Sequence, residues 1–219
     1  MITNFETNLI EIKEKVTEIG VGLLEANKLI LSALGDCEMQ KFTDARGHIK
    51  NIGSKTDEID NLIIKVLALY TPEARDLREV IAFLKITNEL SRACSNTRSF
   101  IRGFTDVCED VDVETINEYA VPMQTSTVNA IMLTNSMIGC EDPDEIQEIY
   151  NDVLIEENKT DDLYEMVERN LSLQAEGSNS FEKFHKMLRA LRKSGKIASR
   201  AISIANLLVY ARVGGNFRN

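Results

Sequence analysis

The chain has 219 residues, 43% of them hydrophobic, enough to bury a core as one large or two small domains. A net charge of −10 excludes a general nucleic-acid binder, which needs a basic face to neutralise phosphates. There is no run of 18 apolar residues, and MITNFETNLIEIKEK lacks the basic start and apolar core of a secretory signal, so the expectation is a cytoplasmic protein without membrane insertion. Cys37, Cys94, Cys108 and Cys140 are widely spaced, which reads as isolated thiols in a reducing compartment.

In chain order the periodicity is helical almost throughout. Phe5, Leu9, Ile12, Val16, Ile19, Leu23, Ala26 and Ile30 fall at three- and four-residue steps and predict a first helix over about 3–34, closed by Gly35-Asp36-Cys37. A second helix is expected over about 38–70. Thr71 reads as the N-cap and Pro72 as the first residue of a third helix, about 72–106. The acidic stretch DVCEDVDVE, 106–114, links this half to a fourth helix, about 113–138, with a bend expected at Pro122. Pro143 opens a fifth helix, about 142–175. AEGSNS breaks it, and a sixth runs from about 179 to 213 and stops at Gly214-Gly215.

The chain repeats itself. GSKTDEIDNLI, 53–63, returns as ENKTDDLYEMV, 157–167, and one ungapped offset of 104 also aligns Leu67 with Leu171, Leu84 with Leu188, Ser95 with Ser199 and Gly35 with Gly139. The expectation is an all-α chain built as two tandem three-helix bundles, 1–108 and 109–219, each of them up, down and up.

TPEARDLREVIAFLKITNEL, 71–90, resembles the signature of the PhoU-type phosphate-transport regulators, in Pro72, Asp76, Leu77, Arg78, Lys85, Ile86, Glu89 and Leu90. ANLLVYARVGG, 205–215, is similar to the close of that family's last helix, and ENKTDDLYEMV to its fifth. The resemblance implies a non-enzymatic regulator of phosphate uptake or phosphate signalling. Such a protein docks onto a phosphate transporter or a sensor kinase at the inner membrane face, and a homodimer is compatible with that role. The alternative is a helical adaptor of the same fold, without metal and with a different partner.

The resemblance also implies metal clusters, held by a Glu/Asp-x-x-x-Asp motif on the second and third helix of each copy. Residues i and i+4 stand one above the other, so two facing helices could offer four carboxylates to a cation. Here the fifth helix keeps Glu157 and Asp161, and the second keeps only Asp57, opposite Gly53 in the motif. The third helix has Ser91 and Ser95, and the sixth Gly195 and Ser199. The expectation is no multinuclear cluster, and at most a weakly held divalent cation at Glu157, Asp161 and Asp57.

Two charge runs remain. Residues 141–168 hold twelve acids against the single base Lys159 and read as a solvated acidic face. Lys183, Lys186, Arg189, Arg192, Lys193, Lys196 and Arg200 crowd the sixth helix. They read either as an anion or lipid-headgroup surface or as partners of the acidic fifth helix, the latter preferred. Enzymatic patterns fail: Glu182-x-x-His185 is half of a di-iron motif whose repeat partner, Arg78-x-x-Ile81, has neither ligand. No zinc motif, phosphate-binding loop or EF-hand is present.

Overall fold

In a computed structural model of the protein, residues 2–174 and 178–214 are described, with side chains over 4–170 and 182–214. The elements are α1 (Ile2–Ala33), α2 (Met39–His48), α3 (Ile52–Leu69), α4 (Ala74–Thr105) and the short α5 (Val113–Thr115). A π-helical turn (Ile116–Ala120) runs on into α6 (Val121–Met137), followed by α7 (Pro143–Gln174) and α8 (Ser178–Val213). The fold is all-α, two bundles of three long helices. Helix boundaries recur at the offset of 104: α1 ends at Ala33 and α6 at Met137, α2 starts at Met39 and α7 at Pro143, α4 starts at Ala74 and α8 at Ser178.

Four local expectations change. The second helix is broken: Asn51 has φ 56°, and α2 gives way to α3 through a turn over 49–51. The carbonyl of Ile49 that this turn frees accepts a hydrogen bond from Arg98 Nη1 at 3.0 Å. Pro72 lies outside the third helix, whose N-cap is Glu73; the first helical bond runs from Leu77 N to Glu73 O at 2.8 Å. At Pro122 the disturbance is a π-helical turn just upstream, which widens the helix where the proline ring would crowd the preceding carbonyl. Finally, Cys37 and Cys108 form a disulfide with Cα atoms 5.9 Å apart, so isolated thiols no longer support a reducing compartment. Residues 175–177 of the AEGSNS break and Gly215 of the closing pair lie outside the described residues. Gly214, with φ +82°, ends α8 in the left-handed conformation that glycine adopts without strain.

The helix starts that hold do so for local reasons. Asp142 caps α7, accepting from the N–H groups of Asp144 and Glu145 at 2.8 and 3.0 Å. Asp112 caps α5 in the same way through Thr115 N at 2.8 Å. The apolar faces meet in one continuous core that includes Ile12, Ile19, Ile63, Phe83, Phe100 and Phe104 from the first bundle and Ile131, Val153, Val167, Leu191 and Leu208 from the second. α4 packs along α8 and α1 along α6, so these four form the middle of the molecule. α2 and α3 cover one side and α7 the other. At the α1–α6 crossing, a Cβ on Gly20 would lie 2.5 Å from Asn135 Oδ1; without one, Asn135 Nδ2 reaches Gly20 O at 2.8 Å.

Two polar assemblies fix the register of this middle layer. At its centre Gln124 is fully buried. It donates from Nε2 to Asn27 Oδ1 at 3.0 Å and accepts at Oε1 from Ser194 Oγ at 2.8 Å. Asn27 Nδ2 in turn donates to Thr97 Oγ1 at 3.3 Å, so one chain of bonds joins α1, α4, α6 and α8. At one end the guanidinium of Arg212, whose side chain is 2% exposed, pairs with Glu79 at 2.6 Å. It also pairs with Glu141 at 3.0 Å and donates from Nε to Cys140 O at 3.0 Å. Lys13 completes the cluster, 2.9 Å from Glu79 and 3.1 Å from Glu141.

Gln124→Leu leaves the buried amide of Asn27 and the hydroxyl of Ser194 without their partner, and should cost about 1–3 kcal/mol in denaturant unfolding. Glu79→Ala removes one of the two carboxylates that pair with Arg212 and should cost about 1–3 kcal/mol. Burial pushes the Glu79 carboxyl up, but hydrogen bonds from Lys13 and Arg212, with their charges, outweigh it and hold the group below its ordinary value of 4.5. That stability is therefore present above pH 4.5 and lost as pH falls through the lowered folded value. Urea midpoints of wild type and Glu79→Ala should converge only below that window.

Candidate functional site

The residual carboxylate pair lies on α7, and Glu157 faces α8. Glu157 is half-buried and Asp161 exposed. Across the seam Ser199 Oγ donates to Glu157 Oε1 at 3.2 Å, so the position opposite the carboxylate is a hydroxyl already engaged with it. Gly195 is the other family position on α8. A Cβ there would lie 3.2 Å from Met123 Cε and 4.0 Å from Thr160 Oγ1: the thioether of α6 fills the space between α7 and α8. Thr160 itself is fully buried and turns its hydroxyl back to Glu157 O at 2.7 Å. In the first bundle Asp57 is exposed, as are Gly53 and Ser95, and Ser91 is half-buried.

Burial, and then the charge of Asp161, push the Glu157 carboxyl above its ordinary value, while the Ser199 hydrogen bond works against them. A site holding a cation would need carboxylates in plural at a shared point. Among the described residues no group of three or more His, Cys, Asp or Glu converges in that way. The donors here do not fit the metal clusters that the sequence resemblance implies: the cavity is filled by Met123 and the carboxylates are one half-buried and one exposed.

The signature residues do structural work along α4. Glu89 pairs with Arg200 of α8 at 2.9 Å. The guanidinium of Arg78 lies over the end of α8, its Cζ 3.6 Å from where a Cβ on Gly214 would stand. Asp76 sits in the first turn of α4, where a negative charge suits the helix N-terminus. Pro72 lies just ahead of that turn, half-buried, and Leu77 is exposed.

The cations of α8 divide between α7 and other partners, Arg192 meeting Tyr164 of α7. Lys183 pairs with Asp110 at 3.3 Å and Lys186 with Glu182 at 2.8 Å, while Arg192 stacks over the Tyr164 ring at 5.9 Å. Arg189 and Lys193 instead line a groove of about 350 Å³ between α4 and α8, facing Arg102. A second groove, about 540 Å³, continues from Ser99 and Arg102 to Arg98 and on to Arg46 and Lys50 at the end of α2. Sequence reasoning saw only the α8 half. The recurrence of arginine at 98 and 102, one helical turn apart, was the available signal for the other. It also missed Arg212, a lone cation in the apolar run ANLLVYARVGG, and Glu79. Of the two free thiols, Cys94 is buried with its pKa pushed up to about 12 by burial, and the half-buried Cys140 is also held above its ordinary value, burial being the largest cause.

No family model matches the chain, and no curated protein does. Solved structures do. The crystal structure of PhoU from Pseudomonas aeruginosa superposes with a TM-score of 0.84 at 19% identity, over 96% of this chain and 100% of that one. The phosphate transport system regulatory protein PhoU from Streptococcus pneumoniae gives 0.74 at 16% identity, over 98% and 99%. The described residues thus have the PhoU fold over nearly the whole chain.

The raised Glu157 carboxyl gives a test of the seam. Its ionised form costs stability, so the native state is favoured below pH 4.5 and loses that advantage as pH rises through the folded value. Glu157→Gln keeps the acceptor for Ser199 and removes the charge. At pH 8 it should melt about 1–2 °C higher than wild type, for a gain on the order of 0.5 kcal/mol in this solvent-screened position. At pH 4 the difference should vanish.

Proposed function

We propose that this chain is a non-enzymatic regulator of phosphate uptake or phosphate signalling. It acts in the cytoplasm by docking onto a phosphate transporter or a sensor kinase at the inner membrane face. The observation that carries the reading is the two-bundle fold matched over nearly its whole length by two PhoU proteins, one of them titled a phosphate transport system regulatory protein. No described helix is long and apolar enough to cross a membrane.

In this reading regulation proceeds without a metal cluster. Met123 at the seam and the hydrogen bond between Ser199 and Glu157 favour a packed contact between α7 and α8 over a coordinated one.

Deleting the gene from its host should raise phosphate uptake in phosphate-replete medium several-fold, and a tagged copy should restore control and co-purify a transporter ATPase or a kinase. Unchanged uptake in the deletion strain would reject the regulatory role. Elemental analysis of the mildly purified protein should find less than one iron, zinc or manganese per chain; two or more would reject the metal-free form of the reading.

A further inference from the structure

The two joined grooves described above set seven cations on the surface of a chain whose net charge is −10. Arg102, Lys186, Arg189 and Lys193 stand around the first, with Asp106 the one carboxylate in its lining. Arg46, Lys50 and Arg98 extend the second, whose lining has no carboxylate. Like charges so close repel one another, and an anion bound among them would relieve that repulsion. Part of the set is already occupied: Lys186 is held by Glu182, and Arg98 spends Nη1 on the Ile49 carbonyl. Arg102, Arg189 and Lys193 make no ion pair among the described residues.

The floor explains the shape. Where α4 crosses α8, Gly103 meets Ala190, with a Cβ on the glycine 3.5 Å from that of the alanine. Two small residues sink the floor, and the long cations on either side rise as walls. A trench of this kind admits a narrow chain and keeps a flat headgroup layer at its rim. Ser95 and Ser99 add hydroxyl donors along its length. None of the lining residues is aromatic, so a nucleobase would find nothing to stack on. Arginine dominates the walls, as suits the forked recognition of phosphoryl oxygens.

We infer that the trench between α2, α4 and α8 is a binding site for a short linear chain of phosphoryl groups, of which tripolyphosphate is the simplest example. Arg102 and Arg189 clasp the chain in the first groove, and Arg98, Arg46 and Lys50 follow it into the second. A single orthophosphate meets only part of the set. The inference rests on the trench alone and holds whether or not the chain regulates phosphate uptake.

Calorimetric titration of the full-length protein with sodium tripolyphosphate is the test. Affinity should exceed that for orthophosphate at least about ten-fold, and should fall as salt rises from about 50 to about 200 mM. Arg102→Gln with Arg189→Gln should weaken it about ten-fold or more. Lys65→Glu with Arg169→Glu, on exposed faces outside the trench, should leave it within about two-fold although it removes more charge. Circular dichroism confirms folding of each variant, and Lys50→Gln with Lys193→Gln repeats the measurement should the arginine pair fail to fold. Equal affinity for orthophosphate and tripolyphosphate would overturn the proposal, as would unchanged binding by a folded trench variant. ATP binding much more tightly than tripolyphosphate would overturn the base-free ligand. Binding to phosphatidylglycerol vesicles without binding to tripolyphosphate would overturn the site in favour of a membrane surface.

Discussion

The carboxamide of Gln124 has no contact with solvent, and the middle of the molecule is arranged around meeting its needs. An amide buried without partners would cost several kcal/mol, so each of its groups must find one. Ser194 Oγ spends its only proton on Gln124 Oε1, so toward Thr127 Oγ1, 2.9 Å away, it can only accept. Thr127 also lies 3.0 Å from Met123 O and 3.3 Å from Ser194 O, and its single proton is shared among the three acceptors. Apolar side chains alone would let α1, α4, α6 and α8 slide by a turn at little cost. This chain of directional bonds does not, because a shift of one helix strands several buried groups at once. The alignment of the two bundles therefore depends on it.

The network also shows how the halves of a repeat diverge. At the offset of 104, the positions matching Asn27, Gln124, Ser194 and Thr97 are Ile131, Gly20, Leu90 and Ala201, all without side-chain polar groups. The same offset matches Cys37 with Glu141 and Cys108 with Arg212. Each pair joins the turn after the first helix of its bundle to the end of the third. In the first bundle the tie is covalent, and in the second it is the Glu141–Arg212 ion pair at 3.0 Å. Position is kept while chemistry changes, as expected when geometry requires a tie at that point and either interaction can supply it. Arg212 gains a second role by reaching Glu79 of α4, which binds the end of the second bundle to the first.

The six long helical spans and their order were legible in the sequence because periodicity and turn residues act locally. The start of α7 follows from Asp142 and Pro143, and the end of α8 from Gly214, with no knowledge of the rest of the chain. The break at 49–51 was not legible. Asn51 in the left-handed region is tolerable within an otherwise helical pattern, and the group that rewards the turn, Arg98, lies 49 residues from the Ile49 carbonyl it binds. Gln124, Ser194 and Thr97 look in sequence like solvent-facing polar residues, since burial is a property of the packed layer. Glu157 meets Ser199 of α8, and that α8 offers no carboxylate at this seam was visible in the sequence as Gly195 and Ser199. That Met123 would occupy the vacated space was beyond any spacing argument, because it comes from a third helix.

Charge is where composition misleads most. A net of −10 describes the far field, and at physiological salt that field decays within about 8 Å. What a ligand meets is the nearest set of side chains. On α7 the acids stand outward on a convex helix and water screens each of them. Between α4 and α8 the cations converge over a floor lowered by Gly103 and Ala190, so their potentials add over one short stretch of surface. A net negative charge is therefore compatible with the proposed anion site, because what the anion meets is the local set of cations.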